Sequence, residues 1–278
     1  MRSAASVRSS ATGLAILVEA ILIGTTLVGT AHAGTLPVSA GGEEGVQAGI
    51  EPASPAIVIG FVGGFVRHDR PHHGPIELAQ RIQSIVPKGT HVEVFENRHR
   101  ARARAVILRL LDTDHDGSLS DEEKSGARIV LYGHSWGAAA AVQLARDLRR
   151  EHIPVLLTAQ VDSIATWHDD SVIPDNVAEA VNFYQPHGLL HGVAQIRAAN
   201  ASKTEILGNY LTDYRKQPVP CTGYSWHNRI FTPGHMQSEC DPKVWSRIEE
   251  LVLQHLTPQG LETVSNSGSK EAPETARK

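Results

Sequence analysis

Arg128-Ile129-Val130-Leu131-Tyr132-Gly133-His134-Ser135-Trp136-Gly137-Ala138 is the stretch from which the fold is read. Its opening residues, Arg128 to Tyr132, make an apolar run with β-branched members, the composition of a buried strand. Ala138 to Arg150 is rich in Ala and Leu and predicts a helix. Between the two lies a serine with a glycine two residues to either side. A serine set between strand and helix occupies a sharp, strained turn, and the glycines remove Cβ atoms that would strike the neighbouring elements. Its Oγ then projects above the sheet edge, and the helix N-terminus points N–H groups at developing negative charge. A structural serine in an ordinary strand-to-helix turn is the plainer reading of the same residues.

Working outward, strand-like and helix-like segments alternate. Strands are expected at Ala56–Val62, His91–Phe95, Val155–Val161 and Ala178–Tyr184, and helices at Pro75–Ile85, Arg98–Leu111 and Val244–Leu256. The strands are continuous apolar runs, as in parallel strands covered on both faces, so the fold class is α/β with a mostly parallel sheet. The chain has 278 residues, 41% hydrophobic and 20% charged, with a formal charge of -4. That composition excludes a disordered chain, and the charge gives no field for a nucleic-acid partner. Two cysteines are too few for a disulfide scaffold or a four-cysteine zinc site.

The ends read differently. Arg2 and Arg8 precede an apolar stretch, Leu14 to Val28, and Ala31-His32-Ala33 offers small residues at the positions a signal peptidase reads. Residues 1–33 are therefore expected to be a secretory signal peptide, although Glu19 interrupts the apolar stretch. The stretch is too short and broken for a membrane span, so no stable span is expected after its removal. Residues 34–55 read as a Gly/Ala/Ser/Pro linker, 56–257 as the folded domain and 258–278 as a disordered polar tail. Export places the protein in the periplasm or outside the cell, in an oxidising compartment where Cys221 and Cys240 can pair.

The strand, the turn Gly133-His134-Ser135-Trp136-Gly137 and the helix together resemble the α/β-hydrolase superfamily of serine hydrolases, lipase- or esterase-like, over about Ala56 to Leu256. The resemblance implies a triad in the order Ser, acid, His, with Ser135 as nucleophile. Asp162, which ends the Val155–Val161 strand, is the acid candidate; most family members place the acid one strand later, and Asp169, Asp170 and Asp175 are alternatives. His235, in Thr232-Pro233-Gly234-His235-Met236 ahead of the last helix, is the histidine candidate, expected in a loop, with His227 as the other. The oxyanion hole would take the N–H of Trp136 and that of Val62 or Gly63, from Gly60-Phe61-Val62-Gly63-Gly64-Phe65. Short segments after Asp162 and Tyr184 leave little room for a large cap domain. Trp167, Phe183, Tyr184, Tyr224, Trp226 and Phe231 are expected either to line an acyl pocket or to be core. The implied substrate is a small-molecule or lipid carboxylic ester. Thioesters and amides suit the same triad, and a non-catalytic binding module on the same scaffold is the contrasting reading.

Asp112-Thr113-Asp114-His115-Asp116-Gly117-Ser118-Leu119-Ser120-Asp121-Glu122-Glu123 fits the D-x-D-x-D-G-x5-E template and resembles an EF-hand calcium loop. Asp112, Asp114 and Asp116 would supply carboxylates, Ser118 its carbonyl, Ser120 a water-mediated contact and Glu123 a bidentate carboxylate, with Gly117 making the turn. Only Lys124, Ser125 and Gly126 follow before the next strand. A structural Ca2+ is therefore expected, and a paired sensor is not. His68-Asp69-Arg70-Pro71-His72-His73 matches no zinc spacing and reads as a polar loop. Arg98, Arg100, Arg102 and Arg104 read as a solvated helix face.

Overall fold

The structure is a computed structural model that describes residues 55–165, 169–222 and 233–256. The expected signal peptide, all but the last residue of the linker, the tail, His227, Trp167, Tyr224, Trp226 and Phe231 lie outside the described residues. No helix among the described residues is long and apolar enough to cross a membrane.

Six strands form one parallel sheet in the order β2-β1-β3-β4-β6-β8. They are β1 (Ala56–Val62), β2 (His91–Glu96), β3 (Arg128–His134), β4 (Val155–Val161), β6 (Val177–Tyr184) and β8 (Glu205–Leu211). Two short strands, β5 (Val172–Ile173) and β7 (Arg197–Ala198), pair with each other. The helices are α1 (Gly74–Ile85), α2 (Arg100–Leu111), α3 (Asp121–Ser125), α4 (Trp136–Arg150), α5 (Pro233–Cys240) and α6 (Pro242–Leu256).

Side-chain alternation along the central strands sorts the core into two layers. On one face Ile57, Ile59, Phe61, Ile129 and Leu131 pack against Ala103 and Ile107 of α2 and Ala141, Leu144 and Leu148 of α4. On the other, Val58, Val130 and Tyr132 pack against Leu78 and Ile82 of α1 and Trp245, Ile248 and Val252 of α6. Every residue of β1 is buried, which is what a continuous apolar strand between two helical layers requires. Arg128 closes one end by donating from Nη2 to the carbonyls of His255 and Leu256 at the C-terminus of α6. Arg100 and Arg104 on α2 reach Asp147 on α4 and Glu151 just past its end.

Four elements differ from the sequence-based expectation. Helix α4 starts at Trp136, directly after Ser135, and α2 starts at Arg100 behind a 3-10 turn over Asn97–His99. Strand β8 was not anticipated; it is an edge strand, largely exposed, with neither an apolar run nor a clean alternation to announce it. The segment carrying His235 is a helix, α5, rather than a loop. Thr232-Pro233 ahead of it is a start signal, since Pro suits the first helical position.

The turn after β3 depends on two close approaches. A Cβ on Gly133 would lie 2.4 Å from the carbonyl carbon of Gly137, and one on Gly137 would lie 2.4 Å from the carbonyl oxygen of Phe61 in β1. Both neighbours are backbone and cannot swing aside. Gly137→Ala should therefore cost about 3 kcal/mol, lowering the thermal midpoint by roughly 6–12 °C. A midpoint within about 1 °C of the parent protein would contradict this packing.

Candidate active site

Ser135 has φ 58° and ψ -127°, a conformation costing a non-glycine residue about 1–3 kcal/mol. Hydrogen bonds hold it there: its N–H donates to the Val161 carbonyl (2.9 Å), and its own carbonyl accepts from Ala138 (3.0 Å) and Ile164 (3.3 Å). The strain turns Oγ toward His235, whose Nε2 stands 2.9 Å away. His235 Nδ1 in turn lies 2.7 Å from Oδ2 of Asp162. The three side chains, far apart in the chain, thus form one hydrogen-bonded line, and all three are buried.

Asp162 follows β4 with φ 44° and is fully enclosed. Oδ1 accepts from the Gly192 N–H (2.6 Å) and Oδ2 from Gln185 Nε2 (3.1 Å). Burial pushes its pKa up, but the hydrogen bond and charge of His235, the Gly192 N–H and Gln185 outweigh it, leaving the pKa below the ordinary carboxylate value. An ionised Asp162 only accepts, so His235 carries its proton on Nδ1 and presents the Nε2 lone pair to the Ser135 hydroxyl. The alternative acids are occupied elsewhere. Asp170 accepts from Ser163, Asp169 from Ser171, and Asp175 pairs with Arg149 and Lys203.

Of the two candidate partners for the Trp136 N–H, the structure brings Gly63 to Ser135. A Cβ on Gly63 would lie 2.9 Å from Cβ of Ser135, and both residues line the same cavity. Val62 does not line it; its side chain packs with Ile76 and Val94. Asn97, unsuspected from sequence, donates from Nδ2 to the carbonyls of Val62 (3.3 Å) and Gly64 (2.6 Å) and so fixes this loop.

The cavity over Ser135 has a volume of about 650 Å³. Its lining includes the apolar side chains Phe65, Trp136, Ile164, Leu190 and Met236, and the segment between β1 and α1, which carries Phe65, also contributes Arg67, Arg70, His72 and His73. Phe65, 83% exposed, stands edge-on to Trp136 with ring centroids 5.6 Å apart. Phe183 and Tyr184, read from sequence as possible lining, are not in the wall; Phe183 stacks on Tyr210.

Residues 56–262 match the model of the alpha/beta hydrolase family. The chain belongs to that family. Solved structures similar to it include a thermostable esterase from Pseudomonas putida, at 10% identity and a TM-score of 0.40, covering 76% of this chain and 77% of the esterase. A cutinase-like protein from Cryptococcus sp. matches at 13% identity and a TM-score of 0.37, covering 73% of this chain and 95% of its own. No curated protein sequence matches the chain.

Behind the line of three side chains this α/β hydrolase holds a second polar layer. His134, buried before Ser135, donates from Nε2 to the His235 carbonyl (3.2 Å), and its ring lies 4.6 Å from that of His235. Burial pushes its pKa down to about 4, so it is neutral at pH 7 beside the other imidazole. Glu239, one turn beyond His235 on α5, accepts from Nδ1 of His73 at 2.8 Å. Burial raises its pKa, yet the neighbouring His134 ring and the hydrogen bond and charge of His73 hold it below the ordinary value.

The calcium-like loop sits at the amino-terminal edge of the sheet, joining α2 to α3 and β3. One carboxylate oxygen each from Asp112, Asp114 and Asp116 lie within 4.8 Å of one another. Oδ1 of Asp112 is buried and has no hydrogen-bond partner, while Oδ2 accepts from the Gly117 N–H. Leu119 packs against the core. Glu123 is not with this group: Oε1 accepts from the Thr113 N–H (2.6 Å) and Oε2 from the Ser120 N–H (2.9 Å), completing a capping box on α3. These bonds, the Ser120 and Thr113 N–H groups foremost, lower its pKa to about 2.

Helix α5 is pinned where its sequence alone is too short to be stable. Cys240 at its end is disulfide-bonded to Cys221, Trp245 Nε1 donates to the Glu239 carbonyl (2.7 Å), and the Tyr214 hydroxyl donates to Asp241 (3.0 Å). The bridge closes a segment with a sequence separation of 19, for which chain entropy gives about 3 kcal/mol. Replacing both cysteines by serine should lower stability by about that amount in denaturant titration, and serine-directed activity should fall with it because His235 rides on α5. Equal stability of the two proteins would show the bridge to be idle.

Proposed function

We propose that this chain is an exported serine hydrolase that cleaves carboxylic esters through Ser135, His235 and Asp162. The observation that carries the reading is the unbroken line Asp162–His235–Ser135 at 2.7 and 2.9 Å beneath an accessible cavity. Ser135 Oγ attacks the ester carbonyl as its proton passes to Nε2 of His235. Asp162, held ionised by Gly192 and Gln185, keeps the ring oriented and stabilises the imidazolium. The N–H groups of Trp136 and Gly63 receive the oxyanion, aided by the N-terminus of α4. His235 then protonates the departing alkoxide, and water, deprotonated by the same nitrogen, releases the acid from the acyl-enzyme. The half-apolar cavity suits a small-molecule or lipid ester.

A fluorophosphonate probe should label Ser135, as read by mass spectrometry of the adduct. His235→Ala should abolish labelling, His227→Ala should retain it, and Asp162→Asn should lower ester turnover by about 10⁴-fold. An adduct on another serine, or undiminished labelling of His235→Ala, would defeat this reading.

We propose further that the loop over 112–123 binds Ca2+ structurally. The unpartnered, buried Oδ1 of Asp112 and the gathered oxygens of Asp114 and Asp116 support it, with Ser118 and Ser120 completing the set. Glu123 would join only by giving up its bonds to Thr113 and Ser120. Lying at the sheet edge away from Ser135, the ion would brace α2 against β3 and take no part in chemistry. Calcium at about a hundred times its dissociation constant should stabilise the protein by about 2.7 kcal/mol over the chelated form. Thermal unfolding with calcium and with chelator reads this directly, and coincident midpoints would eliminate the site.

A further inference from the structure

The charges that the segment between β1 and α1 brings to the cavity do not cancel. Arg67 is occupied: its Nε and Nη2 donate to both oxygens of Asp69, at 3.0 and 2.7 Å. His73 is bound to the buried Glu239, and His72 stands 3.6 Å from Glu77. Arg70 differs. It lines the cavity, is exposed, and its side chain makes no hydrogen bond or ion pair with any side chain among the described residues. Its position is set by the backbone. The Arg70 N–H donates to the Arg67 carbonyl (3.1 Å), the Val66 N–H to that of Gly63 (3.2 Å), and Pro71 follows directly. Gly63, which approaches Ser135, and Arg70 thus belong to one structured turn segment, clamped at its start by Asn97.

We infer that the preferred ester carries an anionic group, a carboxylate, which Arg70 receives while an apolar part of the same molecule lies along Phe65, Trp136 and Leu190. The inference rests on the reading of Ser135 as nucleophile and adds the substrate class to it. Three physical points carry it. A guanidinium is a planar fork whose donors match a carboxylate two by two. Arg70 is exposed, so a carboxylate reaches it from solvent and salt screens the pair, while apolar side chains of the same cavity stand ready for the rest of the molecule. What sets Arg70 apart from the other unpaired cations of the described surface, such as Arg102 and Arg109, is that it lines the cavity that holds Ser135. Glu239, the carboxylate in the wall, is buried and compensated by His73, and does not cancel Arg70.

The test compares a neutral ester, p-nitrophenyl hexanoate, with two acid-bearing ones: the p-nitrophenyl monoester of adipic acid, anionic on the acyl side, and 4-carboxyphenyl hexanoate, anionic on the alcohol side. At low salt, kcat/KM for one of the acid-bearing esters should exceed that of the neutral ester at least tenfold, and added salt should erode the advantage. In Arg70→Ala the ratio of acid-bearing to neutral kcat/KM should fall at least tenfold, through KM, and Arg70→Lys should recover part of it. No preference for either acid-bearing ester, or a preference that survives Arg70→Ala, overturns the inference. Calorimetry on Ser135→Ala with monoethyl adipate measures the contact without chemistry. Binding that vanishes in the Ser135→Ala, Arg70→Ala double variant supports Arg70 even if no ester is turned over, a result that would count against the nucleophile alone; absence of binding counts against Arg70.

Discussion

A serine at φ 58° stands at the head of a buried strand only because the backbone of three elements closes around it. Helix α4 must begin in contact with the carbonyl of Phe61 in β1, which glycine at 137 allows and any side chain would prevent. That contact brings the start of α4, the end of β3 and the loop after β1 to one point. The Ser135 hydroxyl, the Trp136 N–H and Gly63 converge there as a consequence. The strain is local, and the two core layers that flank the sheet supply the stability that sustains it.

The same constraint explains why so much of the site could be read from the chain. Ser135 is legible because its glycine neighbours, strand and helix are contiguous. Asp162 is legible because a run of apolar residues ends on it, and strand ends are where a parallel sheet gathers its polar groups. His235 is expected from its place before the last helix to lie in a loop, whereas the structure sets it on a helix: Pro233–Cys240 has little apolar periodicity, and its order comes from the disulfide, Trp245 and Tyr214. Gln185, Gly192, Asn97, His134 and Glu239 were not legible. Each is an ordinary residue locally, and each acquires a role only when another segment delivers its partner. Strand β8 escaped for the opposite reason, since an exposed edge strand has no buried pattern to betray it.

The polar layer behind the site is unusually dense in imidazole. His134 and His235 lie ring against ring, a pairing that tolerates one positive charge but not two. Burial settles which ring yields, for His134 is enclosed by β3 and α5 and stays neutral. Its remaining task is geometric: it supports the His235 carbonyl from the strand side while Asp162 fixes the ring. Glu239 and His73 then tie that helix to the start of α1. His235 is therefore held by its ring, its backbone and the far turn of its helix.

The hydrogen bond between Ser135 and His235 spans 100 residues of chain, and that between His235 and Asp162 spans 73. During synthesis the turn, its strand and Asp162 leave the ribosome well before the helix that carries His235. For that interval Ser135 lacks its imidazole neighbour. Contacts so distant in sequence carry a loop-closure cost that slows folding. The order of the chain thus makes the Ser135–His235 contact wait for the last helices of the domain.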